Sequence, residues 1–284
     1  MNIRKGLNGE FAAGSEDSTP GRTAHPKVES LYPPAVLQKN IHGFHELPIL
    51  MYHRVVARVP AFSKFRQHVT MENLEQQLQW LDQWGFTPVV FQDLLEKKLP
   101  RKPIILTFDD GYEDNYLCLL PLLQKYRVPA VIYILGDRTL FQNEWDIPQG
   151  EPVIPLLTPS QIKEMAESGW VEFGAHSMTH AKLTTLPSDE ITRQAGDCKT
   201  ALEKFLGKRV VSFAYPYGET NEEIKKITQK AGYTFGVSVK SGPTRFQDDL
   251  MEIGRVPMFP QTSRWQYFKK TSGFYLRYRR WIGK

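Results

Sequence analysis

The sequence predicts an α/β fold: a parallel sheet with helices outside it and a site on the rim where its strands end. Two observations carry this. Short apolar runs alternate with helix-period segments along most of the 284 residues, the pattern of a parallel sheet covered on its faces. Five reactive-type residues, His53, Asp109, Asp110, His176 and Tyr217, each stand just past the C-terminal end of such a run. In barrel enzymes that end carries the active site.

The elements follow in order. Residues 1–45 are polar, with scattered Gly, Ser and Pro, and are expected to be a flexible tail. Leu47–Tyr52 is a strand that ends at His53. Met71–Trp84 is a helix: Thr70 can cap it, Leu74, Leu78 and Leu81 form its stripe, and Gly85 stops it. Thr87–Phe91 is a strand and Gln92–Lys98 a short helix. Pro103–Phe108 is a strand, Asp114–Tyr126 a helix disturbed by Pro121, and Ala130–Leu135 a strand. Residues 137–157 form a long irregular insertion, the kind of loop that shapes a site. A helix at Ser160–Ser168, closed by Gly169, precedes a strand at Trp170–Ala175, and Ser188–Leu206 is a long helix. Val210–Tyr215 is a strand, Thr220 with Glu223 suggests a capping box for a helix reaching Lys230, and Tyr233–Val239 and Glu252–Pro257 are strands. Some seven units of this kind either close into a barrel or stay open.

Composition narrows the class. Hydrophobic residues make up 41%, enough for a substantial core. No run approaches the roughly 18 apolar residues of a membrane span. Met1–Lys27 has no apolar stretch of signal-peptide type. The expectation is a cytoplasmic protein or one peripheral on the cytoplasmic membrane face, and an extracytoplasmic one if the given N-terminus lacks a true leader. Two cysteines, Cys118 and Cys198, provide no disulfide framework and no paired metal spacing, and are expected to pack as small apolar side chains. The net charge of +5 resides in the last segment, where Arg264–Lys284 holds seven basic residues and no acidic one, interleaved with aromatics. Such a segment suits an anionic membrane surface or, more plainly, a terminal helix packed on the barrel. No nucleic-acid partner is expected.

Two motifs carry chemistry. In LTFDDGY, residues 106–112, an apolar run ends in adjacent like charges, Asp109 and Asp110. In HSMTH, two imidazoles four residues apart, His176 and His180, can meet on one helical turn and pinch a metal. Ser177 stands where a metalloprotease helix has its glutamate. Either motif alone has a plain reading, an acidic turn or a surface histidine pair. Together on one rim they favour a divalent cation, which relieves the repulsion of the aspartates. One carboxylate ligates while the other stays free as a base. Asp with two His leaves open positions on zinc.

These residues resemble the polysaccharide deacetylases of carbohydrate esterase family 4, the NodB-homology domain. TFDDGY (107–112) matches the family's first motif, HSMTH its second, and FAYPYG (213–218) looks like its third. The resemblance covers about Leu47–Pro260, so the domain is drawn at 46–262, with 263–284 as a basic aromatic segment. It implies a distorted (β/α)7-type barrel with parallel strands and its active site at the C-terminal rim. It implies a divalent metal, usually Zn2+, held by Asp110, His176 and His180. It also makes Asp109 the general base and the backbone N–H of Tyr217 the oxyanion donor. The implied substrate is an N-acetylated amino sugar in a polysaccharide or lipid-linked saccharide.

The sequence departs from the family pattern twice. Tyr215 stands where the third motif usually begins with the arginine that orients the base, and Arg255 is the best substitute. The family's C-terminal acidic histidine has no counterpart, since none of the seven histidines follows His180. LPILMYHRV (47–55) instead resembles the subgroup of poly-N-acetylglucosamine deacetylases, with permuted motifs and an N-terminal Tyr-His supplying the acid, here His53. His42, His45 and His68 are taken as surface residues. Tyr112, Tyr116, Trp145, Trp170 and Met258 are candidates for a sugar groove, with Tyr112 selected. An O-acetyl esterase, deformylase or cyclic amidase on the same fold, or a non-catalytic carbohydrate-binding relative, remains as the alternative.

Overall fold

The computed structural model describes residues 47–96, 99–239 and 249–272. The expected tail at 1–45, with His42 and His45, the last two residues of the helix expected to reach Lys98, and the end of the basic segment lie outside the described residues.

Its core is a nine-stranded, all-parallel sheet. The strands are β1 (Ile49–Tyr52), β4 (Thr87–Val89), β5 (Pro103–Phe108), β6 (Ala130–Ile134), β7 (Val171–Ala175), β8 (Ser212–Ala214), β9 (Phe235–Ser238), β10 (Ile253–Gly254) and β11 (Val256–Pro257). Their order is β10-β9-β8-β7-β6-β5-β1-β11, with β4 added on β5. The expected single strand at Glu252–Pro257 is thus two short ones at opposite ends of the order. Only Arg255 separates them, so the chain itself bridges the gap and the sheet is a nearly closed barrel.

Period-2 alternation sorts the strand side chains into two cores. Ile49, Ile105, Val131, Tyr133, Phe235, Val237 and Ile253 form one cluster in the barrel interior. It is plugged by Phe91 and Leu94 of the helix α2 (Phe91–Glu96), with Phe91 and Phe235 ring centroids 5.0 Å apart. Leu50, Leu106, Phe108, Ile132, Phe173 and Phe213 form the other, with the inner faces of the surrounding helices. Helix α1 (Met71–Gln83) contributes Leu74, Leu78 and Leu81, and Thr70 caps it by accepting from the Asn73 N–H. With both faces buried, the strands read as continuous apolar runs.

Two local readings need correction, and a third gains detail. Helix α7 (Glu222–Lys230) is capped by Asn221, whose side chain accepts from the Ile224 N–H at 2.9 Å, one residue later than the Thr220 box would place it. His68 is buried, not a surface residue. It lies on β3 (His68–Thr70), which pairs with β2 (Arg54–Val56) in a small parallel sheet too short to be read from the sequence. The helix disturbed by Pro121 begins with a π turn at Asn115–Leu119 and continues as α3 (Leu120–Tyr126), because Pro121 lacks an N–H to give to the preceding turn. Helices α4 (Pro159–Glu167), α5 (Ser188–Thr192), α6 (Cys198–Leu206) and α8 (Arg264–Thr271) complete the set described.

Candidate active site at the C-terminal rim

The aspartate pair follows β5. Asp110 and Gly111 both take left-handed φ, 72° and 68°. A Cβ on Gly111 would come 2.7 Å from Ile134 Cγ2, so the turn admits only glycine there. Of the six non-glycine residues with positive φ among those described, four are Asp110, Ser177, His180 and Tyr217. Such conformations are costly and persist where surrounding structure holds them, typically at functional sites.

The two carboxylates have different environments. Arg255, wholly buried at the barrel closure, forks onto Asp109: Nη1 lies 2.6 Å from Oδ1 and Nη2 2.7 Å from Oδ2. Nη1 also donates to Thr107 Oγ1 at 3.1 Å, and that hydroxyl donates to the Leu50 carbonyl at 2.8 Å. Burial pushes the Asp109 carboxyl up, but Arg255, helped by His176 and His53, brings it below the usual carboxylate range. Asp109 is therefore ionised and oriented.

Asp110 faces the histidines. Its Oδ1 lies 3.2 Å from His176 Nε2 and 3.3 Å from His180 Nε2. One donor atom from each of the three residues lies within 4.8 Å of the other two. HSMTH is a turn rather than the helical turn expected, with Ser177 and His180 left-handed. The imidazoles still converge, their ring centroids 4.9 Å apart. His176 Nδ1 lies 2.8 Å from the Ala214 carbonyl. A carbonyl only accepts, so Nδ1 carries the hydrogen and Nε2 is the atom turned to Asp110. Burial depresses the His180 pKa below its ordinary value, and Asp110 only partly offsets this. Burial also lowers His176, but the Asp110 and Asp109 carboxylates raise it past its ordinary value. For Asp110 itself burial acts upward, and the two histidines hold it well below the carboxylate range.

These residues fit a divalent cation. Asp110 Oδ1 is buried with no well-aligned hydrogen bond, and among the described residues no Lys or Arg pairs with Asp110 as Arg255 does with Asp109. The opening at Nε2 of either ring takes a proton or a metal, and the donor set of two nitrogens and a carboxylate oxygen suits zinc.

The site floors a cavity of about 430 Å³, within the range of small-ligand sites. His53 lines it half-buried between β1 and β2. Tyr217, with φ 60°, sets its ring against His180 at 4.8 Å. Trp145 and Met258 also line the cavity, as the groove reading allowed. The Trp145 ring stacks on His180 at 4.3 Å. Tyr112 does not line it. It is 1% exposed, packed among Leu135, Ile154 and Leu156 beneath the 137–157 insertion, with its hydroxyl 3.4 Å from Asp146 Oδ2. Tyr116 bonds Glu164 at the surface, and Trp170 lies at a different cavity. Tyr215, in the position of the missing arginine, donates its hydroxyl to the Met251 carbonyl at 2.8 Å.

Phe65, Gln67, Asp146, Gln149 and Phe259, which line the cavity too, were not found by sequence reasoning. The loop bearing the first two is tied to the insertion by Phe65 N–H to Glu151, 2.6 Å, and Lys64 Nζ to the Gln149 carbonyl, 2.8 Å. The one available signal was the long insertion itself. Burial first, then the charges of Asp110 and Glu151, push Asp146 up to about 6.

Comparison with known proteins agrees with this geometry. Residues 96–236 match the family model described as polysaccharide deacetylase. The chain is 30% identical over 223 residues to YxkH of Bacillus subtilis strain 168, itself assigned to the polysaccharide deacetylases, covering 77% of this chain and 73% of that protein. The chain belongs to the polysaccharide deacetylase family. A second relative, the poly-β-1,6-N-acetyl-D-glucosamine N-deacetylase of Staphylococcus aureus strain N315, is 23% identical over 258 residues, 82% of this chain and 80% of that one. Among solved structures, the Streptococcus pyogenes deacetylase PplD in complex with acetate superposes with a TM-score of 0.68 at 25% identity. That match covers 80% of this chain and 98% of that one. The distorted α/β barrel expected from the motifs is the fold observed.

Proposed function

We propose that this deacetylase is a metal-dependent hydrolase that removes acetyl from an N-acetylated amino sugar in a saccharide chain. The observation that carries this is the division between the two aspartates: Asp109 is locked to Arg255, while Asp110 faces two imidazoles and, among the described residues, no Lys or Arg. Asp110, His176 and His180 would hold the cation, with Zn2+ as the ion of choice. When bound it supplies Lewis-acid chemistry, polarising the acetyl carbonyl and acidifying water.

The chain's own residues do the rest. Asp109, ionised and fixed by Arg255, accepts the proton of the attacking water at a carboxylate oxygen. The backbone N–H of Tyr217 donates to the acetyl oxygen as it gains charge. His53, on the same cavity, gives a proton to the departing sugar nitrogen. Trp145, Tyr217, Met258 and Phe259 offer apolar faces to a pyranose ring and the acetyl methyl. The Staphylococcus aureus relative makes β-1,6-linked N-acetylglucosamine oligomers the first substrate to test, with lipid-linked amino sugars beside them. Acetate release dependent on added Zn2+ supports the reading. Release of acetate only from O-acetyl esters overturns it.

The segment from Arg264 supports a second contact, with an anionic membrane face. On α8, Trp265 is 63% exposed and Lys269 lies 5.1 Å from its ring, while Tyr267 is buried against Trp80 and Trp84. Among the described residues no helix is long and apolar enough to cross a membrane. Cosedimentation with anionic vesicles that Trp265→Ala with Lys269→Ala abolishes supports this contact, and no cosedimentation of the intact chain overturns it.

A further inference from the structure

The proposed chemistry gives no task to the π turn at Arg193–Asp197, which interrupts the helical run between α5 and α6. A π turn inserts a residue into a helix at some cost in hydrogen-bond geometry, and is frequent where a side chain must be displaced for function. Here it places Gln194, 6% exposed, beneath the HSMTH turn. Gln194 Oε1 accepts from the Met178 N–H at 3.0 Å and the Thr179 N–H at 3.2 Å. Its Nε2 donates to Thr179 Oγ1 at 3.1 Å and Glu190 Oε1 at 3.2 Å. A carboxamide has two donor hydrogens and two acceptor lone pairs, and all four are used.

The surroundings show why this matters. The turn contains two left-handed residues, Ser177 and His180, conformations that persist only where the surrounding structure holds them. Two of its carbonyls are held as well: the Gly136 and Asp137 N–H groups donate to the Ser177 and Met178 carbonyls at 2.9 and 3.0 Å. Cys198 Sγ at the start of α6 donates to the Ser177 carbonyl at 3.2 Å. A Cβ on Gly136 would come 2.8 Å from Cys198 Cα, so this helix lies close against the segment whose N–H groups hold the turn. The two histidines differ in how they are fixed. His176 is oriented through Nδ1 by the Ala214 carbonyl, whereas His180 Nδ1 has no hydrogen-bond partner among the described residues. His180 is therefore placed by its backbone and by the Trp145 and Tyr217 rings packed on it.

We propose that Gln194 is a positioning residue for the cation site. Its carboxamide fixes the peptide groups of Met178 and Thr179 and so presents His180 to Asp110. This rests on the cation reading above, and the measurement separates the two. Zn2+ affinity is measured by competition with a chromophoric chelator on the full chain, together with the visible spectrum of the Co2+ form and the melting temperature of the metal-free protein. Gln194→Met, which keeps the bulk and loses the hydrogen bonds, should weaken Zn2+ binding about 10–100-fold, as loss of outer-shell partners does. It should also alter the Co2+ spectrum. Gln194→Glu keeps both acceptors but sets a carboxylate beside Glu190, and should also weaken binding. Adding Glu190→Gln to it restores a donor–acceptor pair and should recover most of the loss. If Gln194→Met does not fold, the single and double exchanges carry the test. Zn2+ affinities within threefold of wild type, or no recovery in the double exchange, overturn the role of Gln194 alone. A wild-type chain that takes up neither ion overturns the cation reading and this role with it.

Discussion

Replacing Arg255 by Met tests how Asp109, the proposed base, is held. Arg255 is 0% and Asp109 3% exposed, and the guanidinium makes two charge-assisted bonds to the carboxylate, 2.6 and 2.7 Å. At about 1.5–3 kcal/mol for each bond to a charged group, their sum agrees with the roughly 3–5 kcal/mol lost when one member of a buried pair is removed. At about 2–4 °C per kcal/mol for a domain of this size, the melting temperature should fall by roughly 6–20 °C. The loss depends on pH. In the wild type the folded Asp109 pKa is depressed, so its stabilising contribution is present above the unfolded value and lost as pH falls through the folded one. Without Arg255, burial dominates and the folded pKa rises above the unfolded value. Stability then falls as pH rises through that interval, so the deficit of the variant grows with pH. Urea unfolding at pH 5 and pH 8, with chelator present, measures this. The acid limb of the acetate-release profile should move to higher pH, since the base must now ionise unaided. Arg255→Lys keeps the charge without the fork and should fall between. Equal urea midpoints at pH 8, with an unmoved acid limb, would refute the reasoning.

Two further outcomes are expected. His53→Ala should lower acetate release about 10²–10⁴-fold, as loss of a general acid does, with Zn2+ affinity unchanged; a loss under threefold removes His53 from the reaction. Burial first, with like charge from Asp93, pushes the Glu172 carboxyl up to about 8, although its Oε2 accepts from the Gln92 N–H. Its native form thus binds a proton that the unfolded chain has released, and stability drains as pH rises from the ordinary carboxyl range towards 8. Glu172→Gln should therefore be more stable than wild type at pH 9, by on the order of 1–3 kcal/mol, and equal to it at pH 5, as read by chemical denaturation.

The barrel was legible because its strands are buried on both faces. Ile104–Phe108 or Ala130–Ile134 can be read without knowing the partners. The convergence of Asp110, His176 and His180 was legible because each stands at or just after a strand end. Placement beyond local spacing was harder. Arg255 was named from its place on an expected strand, but its reach to Asp109 follows from the break of that strand into β10 and β11, a long-range event that periodicity does not encode. Tyr112 was misplaced because adjacency to a motif was read as adjacency to the cavity. The 137–157 insertion folds over its ring, and Trp145, thirty-three positions later, lines the cavity instead. The π turn bearing Gln194 was hidden because Ile191, Ala195, Cys198 and Leu202 still read as an unbroken helical stripe.

The central claim is that adjacent aspartates do different work. It is tested most directly by Zn2+ content and acetate release in Asp109→Asn and Asp110→Asn, prepared identically. Asp109→Asn should retain the metal at wild-type stoichiometry and lose turnover, whereas Asp110→Asn should lose both. Metal lost from Asp109→Asn and retained in Asp110→Asn, or turnover surviving in Asp109→Asn, would contradict it.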